Sequence, residues 1–187
     1  VKKIDGIVYA ELFELNEVHN EFDLINALKE LYEKHFVLQA GFWKSVKVSL
    51  NTKKFSMVPH AFFNSTFVKD YISSTSLIDE ERDKVKFYKH LHSDVAAVFA
   101  TPKALINFFT DAYPKVTAEF YHKFSSTLES FLKNNLSNKE QALLCDFSKN
   151  KVSIAAVSSG KLLGFNQFEY ESDDDLLFYL AKMAEKA

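Results

Sequence analysis

The chain has 187 residues, which is enough for one domain or two small ones, and a fold of this size buries roughly 70% of its unfolded surface. Its formal net charge of -2 provides no positive field for nucleic acid or an anionic membrane surface, so we expect neither as a partner. No apolar segment approaches the ~18 residues that span a bilayer, and the single cysteine, Cys145, cannot form an internal disulfide, so we expect a cytoplasmic chain without membrane insertion.

Hydrophobic spacing predicts alternating strands and helices in the first part of the chain. Phe22, Ile25 and Leu28 recur at helical spacing, for example, whereas Val46 and Val48 alternate with polar neighbours. In chain order, the predictions are a strand pair or one long strand at 6–15, an amphipathic helix at 21–36, a β-hairpin within 44–63, a short helix at 65–77 with Ser65 as N-cap, and a charged loop or solvated edge at 79–86.

The same alternation continues before the pattern changes near residue 140. We predict a buried strand at 94–102, a helix at 103–113, a strand at 115–124, a helix at 125–135, then consecutive strands at 142–147, 151–157 and 161–170, and a last helix. Alternation of strands and helices implies an α/β sheet with crossover connections. The consecutive strands that follow this alternation indicate the start of a second unit. We therefore predict two units, residues 1–139 and 140–187.

Two clusters of potential metal ligands have simpler interpretations. His90, His92 and Asp94 share one face if they are extended, but the ligand set is incomplete, so we interpret the histidines as partly exposed residues at the entry of a strand. Ser172 and the aspartates at 173–175 have the pattern of a helix capping box, which accounts for the acidic run without a bound cation. We therefore predict no metal site.

Several phrases resemble a bacterial family of unknown function whose structural relatives have the actin-like ATPase fold. They are "KKFSMVPHAFF", "DVAAVFATPKALINFF" and "GKLLGFNQFEYESDDDLLFYL", and the resemblance covers nearly the whole chain. It implies an α/β fold of two ribonuclease-H-like subdomains, with mixed sheets flanked by helices. In this interpretation residues 140–187 begin a second subdomain whose remaining elements would lie beyond Ala187.

The resemblance also implies where a nucleotide would bind. In actin-like and Hsp70-like ATPases an acidic residue at the end of a strand meets Mg²⁺ or the phosphates, and Asp146 has the matching position, with Asp5 in "IDG" as a counterpart. Those enzymes follow the aspartate with glycine, whereas this chain has Ser148, which hinders approach of the backbone to a phosphate. The alternative is that Asp146, Ser148 and Asn150 are turn-forming residues.

Two functions therefore remain open from the sequence. The first is a non-catalytic cytoplasmic scaffold that binds protein partners, with a second copy of itself as one candidate, through a fold with a degenerate nucleotide site. The second is a weak Mg-ATP binder or ATPase with Asp146 as its metal-side carboxylate. The chain has only four glycines and no Gly-Gly pair, so it lacks the glycine-rich adenosine loop of a working ATPase, which favours the scaffold.

Overall fold

A computed structural model describes residues 9–15, 17–135, 141–159 and 161–186. Five helices and eight strands are assigned among these residues, with two short 3-10 turns at His60–Phe62 and Ser65–Phe67. In chain order the helices and strands are α1 (Glu21–Lys34), β1 (Val46–Leu50), β2 (Phe55–Pro59), α2 (Asp70–Ser73), β3 (Asp83–Lys89), β4 (Val95–Pro102), α3 (Lys103–Ala112), β5 (Ala118–His122), α4 (Lys123–Asn135), β6 (Gln141–Ser148), β7 (Lys151–Ser158), β8 (Lys161–Glu169) and α5 (Asp173–Ala184).

The strands form three small sheets of mixed direction. β1 pairs in parallel with β5, β4 lies between β2 and β3 in an antiparallel sheet, and β6, β7 and β8 form an antiparallel meander. The α/β class, the crossover connection and the meander are confirmed. The predicted hairpin within 44–63 is wrong, because β1 and β2 join different sheets although the turn between them was located correctly.

Burial follows the order of the strands in each sheet. β4 and β7 are the central strands, and Val95–Thr101 and Val152–Val157 are buried throughout, which is why both are nearly continuous apolar runs. One face of β7 packs Val152, Ile154 and Ala156 against Met183 of α5. The core of the meander is thus closed by the last helix.

The charged segment at 79–86, predicted as a loop or a solvated edge, contains both: residues 80–82 form a turn, and β3 begins at Asp83 and pairs with β4 along its whole length. Because lysines alternate with other residues in this strand, hydrophobic spacing alone does not predict it. Val85 nevertheless packs against the cluster of Val58, Ile72 and Val98. Charged side chains are typical of an edge strand, which has only one neighbour and a solvated side.

Two helices begin with the N-cap residues that capping chemistry favours, and one predicted N-cap is wrong. Asn20 caps α1, and Ser172 with Asp175 forms the predicted capping box of α5. The helix predicted at 65–77 shrinks to a 3-10 turn and the four residues of α2, and the side chain of Asn64, not Ser65, caps that turn. None of the described helices combines the length and the apolar composition that a membrane span requires.

The chain divides into two compact units, Val1–Phe42 and Trp43–Ala187. In the first unit residues 9–15 form no strand, so the described part of the strand predicted at 6–15 is wrong. There the carboxylate of Glu11 lies 2.8 Å from Nε2 of His35, just after α1. The predicted division after Lys139 lies outside the described residues and stays a prediction.

Candidate functional site

A polar cavity of about 270 Å³ lies in the second unit, where the meander faces the segment that follows β1. Asn51, Thr52 and Lys53 line one side, and Asp146, Ser148 and Glu169 are among the residues on the other. The cavity therefore includes two of the predicted nucleotide-site residues, Asp146 and Ser148. Asn150 does not line it, and Asp5 lies outside the described residues.

Asp146 is already held by a cation. Its Oδ1 accepts from Nζ of Lys123 at 2.8 Å, and the carboxylate side chain is mostly buried. Lys123 is the first residue of α4, directly after β5, so the pair joins two parts of the fold that are 23 residues apart in sequence. Asp146 lies two residues before the end of β6, opposite Ser153 of β7, rather than at the end of its strand as predicted.

A second carboxylate in the cavity binds two more cations. Glu169 lies 2.5 Å from Nζ of Lys53 and 3.8 Å from Nζ of Lys151. The hydrogen bond to Glu169 raises the pKa of Lys53, and the bond from Lys53 lowers the pKa of Glu169. Burial lowers the pKa of Lys151, and the nearby charge of Lys53 lowers it further. These lysines therefore already have an anion of the chain itself beside them.

The turn next to Asp146 contains no glycine and is stabilised by hydrogen bonds from Tyr170 and Asn51. Lys149 has φ of 48°, a backbone conformation that glycine adopts at much lower cost. The carbonyls of Lys149 and Asn150 accept from the hydroxyl and the backbone N–H of Tyr170, and Oγ of Ser148 accepts from Asn51 at 3.2 Å. The interpretation of Asp146, Ser148 and Asn150 as turn-forming residues stays a prediction.

Sequence reasoning missed His122, which is fully buried at the end of β5. Its ring stacks on Phe55 at 3.6 Å, and Nε2–H donates to the carbonyl of Thr52 at 3.0 Å, while Nδ1 has no partner in the described parts of the chain. Burial lowers the pKa of His122 to about 4. Thr52 lines the polar cavity, so a neutral imidazole supports one of its walls. No sequence motif marks this residue.

The predicted histidine pair forms a different cluster from a metal site. Nδ1 of His90 donates to Glu129 at 2.7 Å, and Nε2 accepts from the hydroxyl of Ser125 at 2.8 Å. Nδ1 of His92 bonds the other oxygen of Glu129. His90 is buried, so its predicted exposure is wrong, and burial lowers its pKa. No group of three or more metal-ligating side chains able to hold an ion is found among the described residues.

The Ser125, His90 and Glu129 distances match those of a nucleophile, a base and an orienting carboxylate. Ser125 and His90 are only 1% and 3% exposed, however, so the hydroxyl has no route to a substrate. The same carboxylate also accepts from the backbone N–H of Leu91. We therefore interpret the cluster as a structural hydrogen-bond network that links α4 to the turn between β3 and β4.

Comparison with solved structures identifies the class of fold. The chain is similar to a crystal structure from Bacteroides thetaiotaomicron VPI-5482, determined at 1.85 Å resolution and described as a protein with actin-like ATPase fold and unknown function. The two are 22% identical with a TM-score of 0.75, over 85% of this chain and 60% of that protein. The chain thus has the actin-like ATPase fold and spans 60% of the length of this relative.

The family follows from a second comparison. The model of the family "Protein of unknown function (DUF3822)" matches residues 2–187, and the chain belongs to that family. The suspected membership of a bacterial family of unknown function with this fold is confirmed. The comparison with curated proteins found no match.

Proposed function

We propose that this protein is a non-catalytic cytoplasmic scaffold, a protein-interaction module in which the nucleotide site of the actin-like fold is degenerate. The observation that carries the proposal is the ion pair between Lys123 and Asp146. It occupies the carboxylate that an ATPase of this fold would need for Mg²⁺. An actin-like fold alone does not imply ATP hydrolysis, because function depends on the site.

The chemistry of Mg²⁺ explains why this pair matters. Mg²⁺ binds few protein carboxylates and keeps several waters, so each carboxylate must have accessible oxygen lone pairs. One oxygen of Asp146 accepts from Lys123, and a metal ion there would have to displace an ammonium from a mostly buried group. The cavity is also slightly smaller than the roughly 300 Å³ at which small-molecule sites usually begin.

The surface supports a protein partner. Several large apolar side chains are more than half exposed, among them Phe62, Leu177 and Phe178. Leu177 and Phe178 lie together on the outer side of α5, whose inner side packs Met183 on the meander. Exposed apolar groups that lie side by side are typical of interaction surfaces. A second copy of the chain is the partner that we propose to test first.

A thermal-shift titration with Mg-ATP separates the scaffold from the ATP binder. A ligand at a hundred times its Kd adds about 2.7 kcal/mol to stability, so even weak specific binding is measurable. We expect no saturable shift for wild type, nor for Asp146→Asn. The matched control is Asp173→Asn, which removes an exposed carboxylate on α5 that does not line the cavity. A saturable shift in wild type and in Asp173→Asn that disappears in Asp146→Asn would establish the ATP binder and overturn the degenerate site.

The interaction surface has its own test. Light scattering over a concentration series would give the mass of wild type and of the double variant Leu177→Ser/Phe178→Ser. We expect self-association in wild type that the double variant abolishes. Phe62→Ser is the matched control, because it also removes an exposed aromatic ring but not one on α5. A monomer at every concentration, or equal self-association in all three proteins, would contradict a dimer formed through α5.

A further inference from the structure

A second cavity of about 300 Å³ lies elsewhere in the same unit, between the last turn of α3, the segment before β5, and β3. Its walls combine apolar and polar side chains in about equal parts: Ile106, Pro114, Val116 and Phe120 are apolar, and Thr110 and Thr117 bear hydroxyl groups. Thr110 donates its own proton to the carbonyl of Ile106, so its oxygen can still accept. The site is independent of the Asp146 cavity and shares no lining residue with it.

Lys86 of β3 provides the charge of this cavity. Its Nζ lies 4.5 Å from the centre of the Phe120 ring, and no carboxylate of the described residues lies within ion-pair distance. Burial lowers the pKa of Lys86, and the charge of Lys84 lowers it further. An aromatic face compensates only part of the hydration that a half-buried ammonium loses, because a cation–π contact is weaker than a paired charge. An anion bound beside Lys86 would therefore stabilise its ammonium group.

All charged residues that line the cavity have the same sign. They are Lys86 and Lys115, and no aspartate or glutamate lines it. In the Asp146 cavity, by contrast, each lysine lies beside a carboxylate of the chain. A cavity with several apolar side chains, and with a positive charge that no described carboxylate pairs, complements a ligand with an apolar body and one negative group.

We propose that this cavity binds a small organic carboxylate, with its carboxylate on Lys86 and its hydrocarbon part against Phe120, Ile106 and Val116. The ammonium of Lys86 would form a charge-assisted hydrogen bond with the ligand, and such bonds are about twice as strong as neutral ones. Lys115 is exposed and contributes a weaker, screened attraction. The volume of about 300 Å³ fits a small acid.

The competing interpretation is that Lys86 simply covers Phe120 and that the cavity holds only water. Calorimetric titration of the full chain with hexanoate and with benzoate, beside hexanamide and benzamide, separates the two. The amides keep the apolar body and lose the negative charge. The variant is Lys86→Met, which keeps the length and the apolar stem, and the matched control is Lys84→Met, which removes an exposed lysine two residues away on the same strand.

We expect saturable binding of at least one acid, binding of its amide more than tenfold weaker, and the same loss of acid binding in Lys86→Met but not in Lys84→Met. Each variant must retain the wild-type near-ultraviolet spectrum, which shows that its packing is intact. If Lys86→Met does not fold, Lys86→Gln replaces it. The proposal is overturned if neither acid binds at millimolar concentration, if acid and amide bind equally, or if the two lysine variants lose affinity equally.

Discussion

The Asp146 cavity and the Lys86 cavity differ in how their charges are compensated. In the first, Lys123 pairs with Asp146, and Glu169 lies between Lys53 and Lys151. In the second, Lys86 has an aromatic ring as its neighbour and no carboxylate among the residues that the structure describes. In the Asp146 cavity, where the fold suggests a ligand site, the charged side chains thus already neutralise one another. The Lys86 cavity has a charge that a ligand can neutralise.

This difference shows why a binding site needs more than the right residue types. Asp146, Ser148 and Lys151 are suitable for a metal ion and a phosphate, but their interactions with neighbouring side chains would have to be broken before a ligand gained anything. A ligand at Lys86 breaks no ion pair. Free energy of binding is the surplus over such losses, so the compensated site is the poorer ligand site.

The largest expected effect concerns His122, which supports the wall of the Asp146 cavity. Its folded pKa of about 4 lies below the unfolded value of about 6.5, so the unfolded state binds the proton first as the pH falls. The stability that this residue contributes is therefore complete above pH 6.5 and is lost between about 6.5 and 4, by about 3 kcal/mol.

We expect His122→Gln, whose amide N–H can still reach the carbonyl of Thr52, to lose this part of the pH dependence. Urea unfolding at several pH values measures it as a difference between wild type and variant, because other groups titrate in both. His19→Gln, at an exposed histidine, is the control and should retain the wild-type slope. A variant at His122 with the wild-type slope would show that the imidazole is not buried neutral.

The next effect tests whether Asp146 depends on Lys123. Lys123→Met leaves a mostly buried carboxylate without its cation, and we expect a loss of about 1 to 2 kcal/mol, between the values for exposed and buried pairs. Adding Asp146→Asn to this variant should restore part of the loss, because the unpaired charge is then absent. Urea unfolding of both single variants and the double variant gives the coupling energy. Simple additivity would mean that the pair contributes nothing.

The opposite sign is expected at the other cavity. Lys86→Met removes a half-buried cation that has no anion and keeps its apolar stem over Phe120, so we expect unchanged stability or a gain of up to about 1 kcal/mol. The same unfolding measurement checks this. A clear loss of stability would show that the ammonium has an anionic partner in the folded protein and would remove the contrast between the two cavities.

The smallest effect is expected for Glu169→Gln. Glu169 and its partner Lys53 are largely exposed, and exposed ion pairs are screened by solvent and salt. We expect a small decrease in the melting temperature at low salt that vanishes at high salt. A decrease that persists at high salt would mean that Glu169 is needed for the packing of the cavity wall and not only for charge neutralisation.

Local patterns were enough for most elements and for the cap of α5. The helix α1, the buried strand β4, the meander and the capping box at Ser172 follow from periodicity and from hydrogen bonds between residues close in sequence. Family phrases supplied the fold, which the comparisons confirm. The pattern left β3 open between a loop and a solvated edge, because lysines on an edge strand resemble a loop. It failed at the pairing of β1 and β2, which depends on partners far along the chain.

The sequence by itself therefore determined the class of fold and the absence of glycine at the turn after Asp146. Only the tertiary structure decided that Lys123 neutralises Asp146, that His122 is buried against Phe55, and that Lys86 has no anion beside it among the described residues. The physical reason is that capping and periodicity act over a few residues, whereas burial and charge compensation depend on which distant segments meet. The contacts between distant segments therefore decide whether a charged side chain in a cavity is already paired or can still bind a ligand of opposite charge.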